Sequence, residues 1–188
     1  MPVPAKRTQQ MTTAADVVTF WREAGMQRWF QGGQAFDAEC ESRFLDAHLR
    51  AARGEHEAWL DDAEGALALL ILLDQIPRNV FRGSGHAFAT DGLALHYADR
   101  ALAAGHDAQI EPALRAFFYL PFEHSERPED QARSVALFDA LGVKTYADYA
   151  VAHQDVIARF GRFPHRNAAL GRVSTPEEQA WLEAGGGF

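Results

Sequence analysis

Two short segments carry proline, arginine, asparagine and glycine in a similar order. One reads Pro77-Arg78-Asn79, with Arg82-Gly83 close behind; the other reads Pro164-His165-Arg166-Asn167, with Gly171-Arg172 behind. Arginine presents a planar fork of donors that matches carboxylates and phosphates. Proline fixes the backbone beside it, and asparagine bonds locally or donates outward. Two such loops facing one cavity would make an anion site. Arg78, Asn79, Arg82, Arg159, Arg162, His165, Arg166 and Asn167 are therefore the candidate ligand-binding residues. A second constellation is His124-Ser125-Glu126, ahead of Pro128. His and carboxylate side chains two apart in a loop can point the same way, and His153 or His165 could join them. Such a cluster suits acid–base work or a metal. His124, Glu126 and His153 are the candidate catalytic residues. The chain has no H-E-x-x-H and no His pair at helical spacing, so neither a metal nor a cofactor is assigned.

Each residue also has a plainer reading. Arginines after helix ends bond exposed helix carbonyls or pair with core carboxylates such as Asp74, and structural ion pairs mimic functional ones. His153 lies on an apolar stripe, where a core histidine with one nitrogen satisfied is common. Ser125 and Glu126 can cap the following helix. His165 can pack between loop and helix. Three functions thus compete. The favoured one is a binding protein for a small anionic molecule or an acidic peptide end. The others are a hydrolase-like enzyme working on an anionic substrate, and a purely structural network whose work is done by a surface for a protein partner.

The rest of the composition narrows the field. The chain has 188 residues, 18 Lys+Arg against 26 Asp+Glu, and a formal net charge of -8. An acidic protein lacks the basic face that displaces counterions from nucleic acid, so no nucleic-acid partner is expected. Only Lys6 and Lys144 are lysines. Val156 to Pro176 holds Arg159, Arg162, Arg166 and Arg172 and no acid, while Glu55 to Glu64 holds five acids and no base. Cys40 is the lone cysteine, which precludes an intrachain disulfide. Met1 to Gln10 is polar and does not read as a secretory signal. The most apolar stretch, Ala66 to Leu73, is far shorter than the roughly 20 residues that cross a bilayer. A cytoplasmic protein without a membrane partner is expected.

Helices must position these residues, because strand alternation is missing. Thr13 with Asp16 caps a first helix carrying Val17, Trp21 and Ala24. A second spans about Asp37 to Arg53, with Cys40, Phe44, Ala47 and Ala51 at three- and four-residue spacing. Asp62 caps an almost wholly apolar helix that Pro77 should bound. Ala87 to Ala104 reads as one helix. Pro112 opens a short helix that Pro121 should end, and Pro128 opens another that closes at Gly142. Tyr146 to Phe160 has the clearest stripe: Tyr146, Tyr149, Ala150, His153, Ile157 and Phe160. Thr175-Pro176-Glu177-Glu178 is a capping box for the last helix. The expectation is a flexible segment over 1–12 and one all-α domain over 13–188, built from antiparallel helical hairpins.

Longer motifs resemble a known family. They are Leu73-Asp74-Gln75-Ile76-Pro77-Arg78-Asn79-Val80-Phe81-Arg82-Gly83, Phe117-Phe118-Tyr119-Leu120-Pro121-Phe122-Glu123-His124-Ser125-Glu126, and Arg159-Phe160-Gly161-Arg162-Phe163-Pro164-His165-Arg166-Asn167. Leu170-Gly171-Arg172, Ser174-Thr175-Pro176-Glu177-Glu178 and the closing Gly187-Phe188 continue the match. The chain resembles the family called domain of unknown function 924 over nearly all its length beyond the first ten or so residues. Ile76 departs from the Phe common there. The resemblance implies a bacterial-type, all-helical protein with a tetratricopeptide-like superhelical arrangement, and no established activity. No 34-residue tetratricopeptide consensus is visible, so any repeats are degenerate.

Overall fold

Apolar residues at helical spacing decide the architecture. The computed structural model describes residues 11–188, which form helices and no strands. The fold is all-α, as expected; most of the 1–12 segment lies outside the described residues.

Helix α1, Ala14–Gln31, opens on the expected box: Asp16 N–H donates to the Thr13 hydroxyl, and Thr13 N–H donates to the Asp16 carboxylate. Gly25 breaks the helix at φ 70°, a conformation open chiefly to glycine. The Trp29 indole N–H donates across the break to the Trp21 carbonyl at 2.6 Å. Helix α2, Gly33–Ala52, starts earlier than Asp37 but buries Cys40, Phe44, Ala47 and Ala51 as their spacing requires. Helix α3, Ala63–Leu70, is capped by the Asp62 carboxylate on Gly65 N–H. It is buried almost throughout and packs against α1 and two later helices.

Pro77 does not end this helical run. A single π turn, Ile71–Gln75, leads directly into helix α4, Ile76–Val80. Proline donates no hydrogen bond, and its ring crowds the carbonyl four residues back. The wider turn absorbs that conflict, with Ile76 N–H reaching back to the Ile71 carbonyl. Three carbonyls at the turn are then taken by side chains. His48 Nδ1–H donates to Leu72 O at 2.8 Å, the Thr90 hydroxyl donates to Leu73 O at 2.5 Å, and Arg78 donates to Asp74 O. Leaving such a buried carbonyl bare costs about 1–3 kcal/mol. The distant partners are therefore what let the helix run through its proline.

The stretch expected as one helix from Ala87 is divided. A 3-10 turn, Gly85–Phe88, precedes helix α5, Asp91–Ala103. Thr90 has non-helical angles, and its hydroxyl is committed to Leu73 O. Asp91 consequently begins α5. Pro121 lies inside helix α6, Pro112–Glu123, rather than ending it. Its fixed φ is compatible with a helix, which ends shortly afterwards at Glu123. Helix α7, Pro128–Leu141, stops at left-handed Gly142, and two residues later α8, Lys144–Phe160, turns back along it. Tyr149 is exposed, off the buried stripe of α8. A loop containing the 3-10 turn Pro164–Arg166 leads to helix α9, Pro176–Glu183, with its capping box formed. A large apolar core joins α1–α3 to α5–α8; a smaller one gathers Val156, Ile157 and Phe163.

Candidate functional site

An aspartate buried in an apolar helix needs donors on its oxygens. The π turn places Asp74 in the interior, 1 % exposed. His124 Nδ1–H donates to its Oδ1 at 2.8 Å and Gln75 Nε2 to its Oδ2 at 2.6 Å. Arg78 Nη1 stands 3.3 Å from Oδ1. Burial pushes the carboxyl pKa up, but Arg78, His124 and Gln75 together outweigh it and hold the group below the usual range. Arg78 also reaches both oxygens of Asp91, at 3.0 and 3.1 Å. Arg166 Nη1 donates to Asp91 Oδ2 at 3.2 Å. The result is a relay of alternating charge: Arg166, Asp91, Arg78, Asp74, then His124.

The relay opens onto a cleft of about 260 Å³. Asp91 from α5, His124, Ser125 and Glu126 after α6, and Arg166 from the 3-10 turn supply its polar wall. Phe88, Leu95, Pro121 and Leu170 supply the apolar wall. Arg166 is 6 % exposed. Its guanidinium lies between the rings of Phe88 and Phe163, at 4.6 and 4.5 Å. Its bond to Asp91 is its only hydrogen bond among the described residues, and Nε is buried without a partner. Burial and then the charge of Arg78 lower its pKa to about 10, which still leaves it charged at neutral pH.

His124 uses Nδ1 on Asp74, so in the neutral ring Nε2 carries the lone pair. Burial, then Arg78, lowers its pKa against the pull of Asp74. A neutral imidazole oriented by a carboxylate is an acid–base group. Behind it lie Glu123 and His153, with Oε1 and Nδ1 3.5 Å apart. Burial, then Asp74, raises Glu123 to about 8, and burial drops His153 to about 3. His153 donates to Tyr149 O at 2.8 Å and stacks on Phe188. This is the core histidine of the plainer reading. Burial, then Arg166, lowers His165 to about 4.

The structure does not bring the other candidates together. Glu126 lines the cleft, but its carboxylate accepts two bonds from Arg172 and one from Phe163 N–H. It fastens the C-terminal loop and is not a free acid or base. Asn79 and Arg82 both bind Asp37 of α2, Arg82 through two bonds at 2.8 Å. Arg159 pairs with Glu177 on the surface. Arg162 chelates Glu178, which also accepts Thr175 N–H and an Asn167 amide. Long reach lets arginines in neighbouring loops find different carboxylates. Arg78 stands behind the cleft in the relay, and Arg166 alone faces it with donors to spare. Sequence reasoning missed Asp91, Phe88 and Phe163. Asp74 carried a signal: one acid at the end of an apolar run, four residues before Arg78. Among the described residues no group of three or more His, Cys, Asp or Glu is arranged to hold a metal ion. No helix among them is long and apolar enough to cross a membrane.

The family model described as "Bacterial protein of unknown function (DUF924)" matches residues 17–186. A solved structure of a protein of unknown function from Agrobacterium tumefaciens is similar at 51% sequence identity and a TM-score of 0.88. The match covers 91% of this chain and 97% of that one. No curated protein matches.

Proposed function

The chain belongs to the DUF924 family, and within it we propose that the cleft at Arg166 binds a small anionic molecule. One observation carries this reading: a buried, charged guanidinium lines an open cleft while spending only one hydrogen bond. Asp91 pairs its charge, but donors left unspent on a desolvated guanidinium are costly, and a bound anion accepts from them. The volume is below the roughly 300–1,000 Å³ of drug-sized sites, which favours a small molecule or the end of a peptide. A second reading, acid–base catalysis on the bound anion, is favoured by the Asp74–His124 pair at the same cleft. The lone cysteine and the acidic charge support a cytoplasmic setting without nucleic-acid partners. Tetratricopeptide-like stacking is likewise proposed, supported by the successive pairs α6–α7 and α7–α8.

Titration calorimetry with small organic and inorganic anions tests the binding reading. Arg166→Met keeps an apolar chain between the two rings and removes the charge. A charge-assisted hydrogen bond is worth about 1.5–3 kcal/mol, so affinity should fall at least about tenfold. Binding of no anion, or equal binding to a folded Arg166→Met variant, overturns the proposal.

A further inference from the structure

The charges around the cleft already cancel. Asp74, Asp91 and Glu126 face Arg78, Arg166 and Arg172 through the contacts described above. An incoming anion therefore adds a negative charge with no spare cation. Resting on Arg166 as the anion-binding group, we infer that the occupant is a monocarboxylate with an apolar body and that it enters together with one proton, which His124 takes up.

Geometry selects the headgroup. Nη2 of Arg166 makes no hydrogen bond among the described residues, whereas the unpartnered Nε is shut off from the cleft. Nη2 therefore meets one oxygen of a carboxylate and leaves the other to His124, which lines the same cleft. The neighbouring carboxylates of Asp91 and Glu126 oppose a second negative charge, which disfavours a phosphate dianion. Phe88, Leu95, Pro121 and Leu170 form a wall suited to an apolar body.

The proton follows from the tautomer. With Nδ1–H fixed on Asp74, a neutral His124 turns a lone pair outward at Nε2, and a lone pair repels a carboxylate oxygen. Protonated, Nε2 donates to it, while Asp74 stabilises the imidazolium from behind. The groups facing His124 leave it this role. Asp74 comes from the π turn, Arg78 from α4 and Asp91 from α5; Arg166, with His165 beside it, comes from the loop. Glu126, on the same connection, is neutralised by Arg172. His153 on α8 and Glu123 on α6 are uncharged at neutral pH. Arg166 acts on His165 more strongly than its one nearby carboxylate, the already paired Glu126, so His165 is the poorer acceptor.

Calorimetry with benzoate and inorganic phosphate, from pH 5.5 to 7.5, below the titration of Glu123, in two buffers of different ionisation heat, tests this. The expected result is about one proton taken up per benzoate and an affinity falling about tenfold per pH unit above the pKa of free His124. Phosphate should bind at least about tenfold more weakly than benzoate. His124→Asn, whose amide still donates to Asp74, should bind benzoate with a flat pH profile. Zero proton uptake by the wild type, a flat wild-type profile, or phosphate binding as tightly as benzoate overturns the inference. Phosphate bound through Arg166 in place of benzoate sinks this inference and leaves the anion site standing. Failure of both anions to bind sinks the anion site as well.

Discussion

Asp74→Asn is the sharpest perturbation of the buried relay. The substitution keeps shape and removes charge. Asp74 accepts from His124 and Gln75 and faces Arg78, so both of its oxygens meet donors. An amide has one acceptor oxygen, and its NH2 must confront a donor. Gln75 can turn its amide to relieve that clash, and His124 can shift its tautomer. Neither restores the lost charge. Arg78 and Arg166 would then share Asp91 alone. Breaking a buried pair costs about 3–5 kcal/mol. Arg78 keeps Asp91 and its side chain is 21 % exposed, which places the loss near the lower bound, about 3 kcal/mol. For a chain of this length each kcal/mol moves Tm by about 2–4 °C, so a fall of roughly 6–12 °C is expected at pH 7. The pH dependence has a definite sign. The folded pKa of Asp74 lies below the ordinary value near 3.9, so its contribution is complete well above that value and disappears as pH falls through the folded pKa. The gap between wild type and variant should narrow below about pH 4. Thermal melts of both proteins at pH 7, 5 and 3 measure it. A loss under about 1 kcal/mol at pH 7, or a gap that widens on acidification, would refute the reasoning.

Three further outcomes are expected. Thr90→Val removes the hydroxyl on Leu73 O and should cost about 1–3 kcal/mol, read from denaturant midpoints; no change would mean that carbonyl has another partner. Gly65→Ala would set a Cβ 2.2 Å from the Trp59 carbonyl oxygen, which is backbone and cannot swing aside. Overpacking of this kind costs about 1–3 kcal/mol, and a variant as stable as wild type would contradict the approach of the 57–61 turn. Glu123→Gln should raise Tm at pH 7. The folded pKa near 8 lies above the unfolded value, so the wild type loses stability as pH rises from about 4 towards 8. The gain should fade below about pH 4, and a lower Tm at pH 7 would count against the buried neutral carboxyl.

Much of the helical framework was legible because its determinants are local. The Thr13 and Thr175 boxes, the Asp62 cap and the α2 stripe involve residues within one or two turns. The two prolines misled for the complementary reason. Pro77 breaks an isolated helix, but His48 and Thr90, far from it in the chain, take the released carbonyls. The candidate site was legible in part. Arg166 and His124 were singled out by residue type and both line the cleft, and the pairing of Arg78 with Asp74 followed a four-residue spacing. The fates of Arg82, Arg162 and Glu126 were not legible, because each was decided by a carboxylate or arginine on another element: Asp37, Glu178 and Arg172.

The sequence by itself determined that this chain is helical, where most helices begin, and that its arginines gather beside Pro- and Gly-bearing loops. Periodicity and capping act over three or four residues, so they can be read without coordinates. Tertiary structure decided which arginine stays underused. The arginines of these loops could pair with the carboxylates in many ways, and only the packing of α2, α5, α6 and the C-terminal loop selects one. That packing gave Arg82 and Arg162 a full carboxylate each and left Arg166 between two rings with a single bond. The difference between these arginines lies in that count, which no local pattern records.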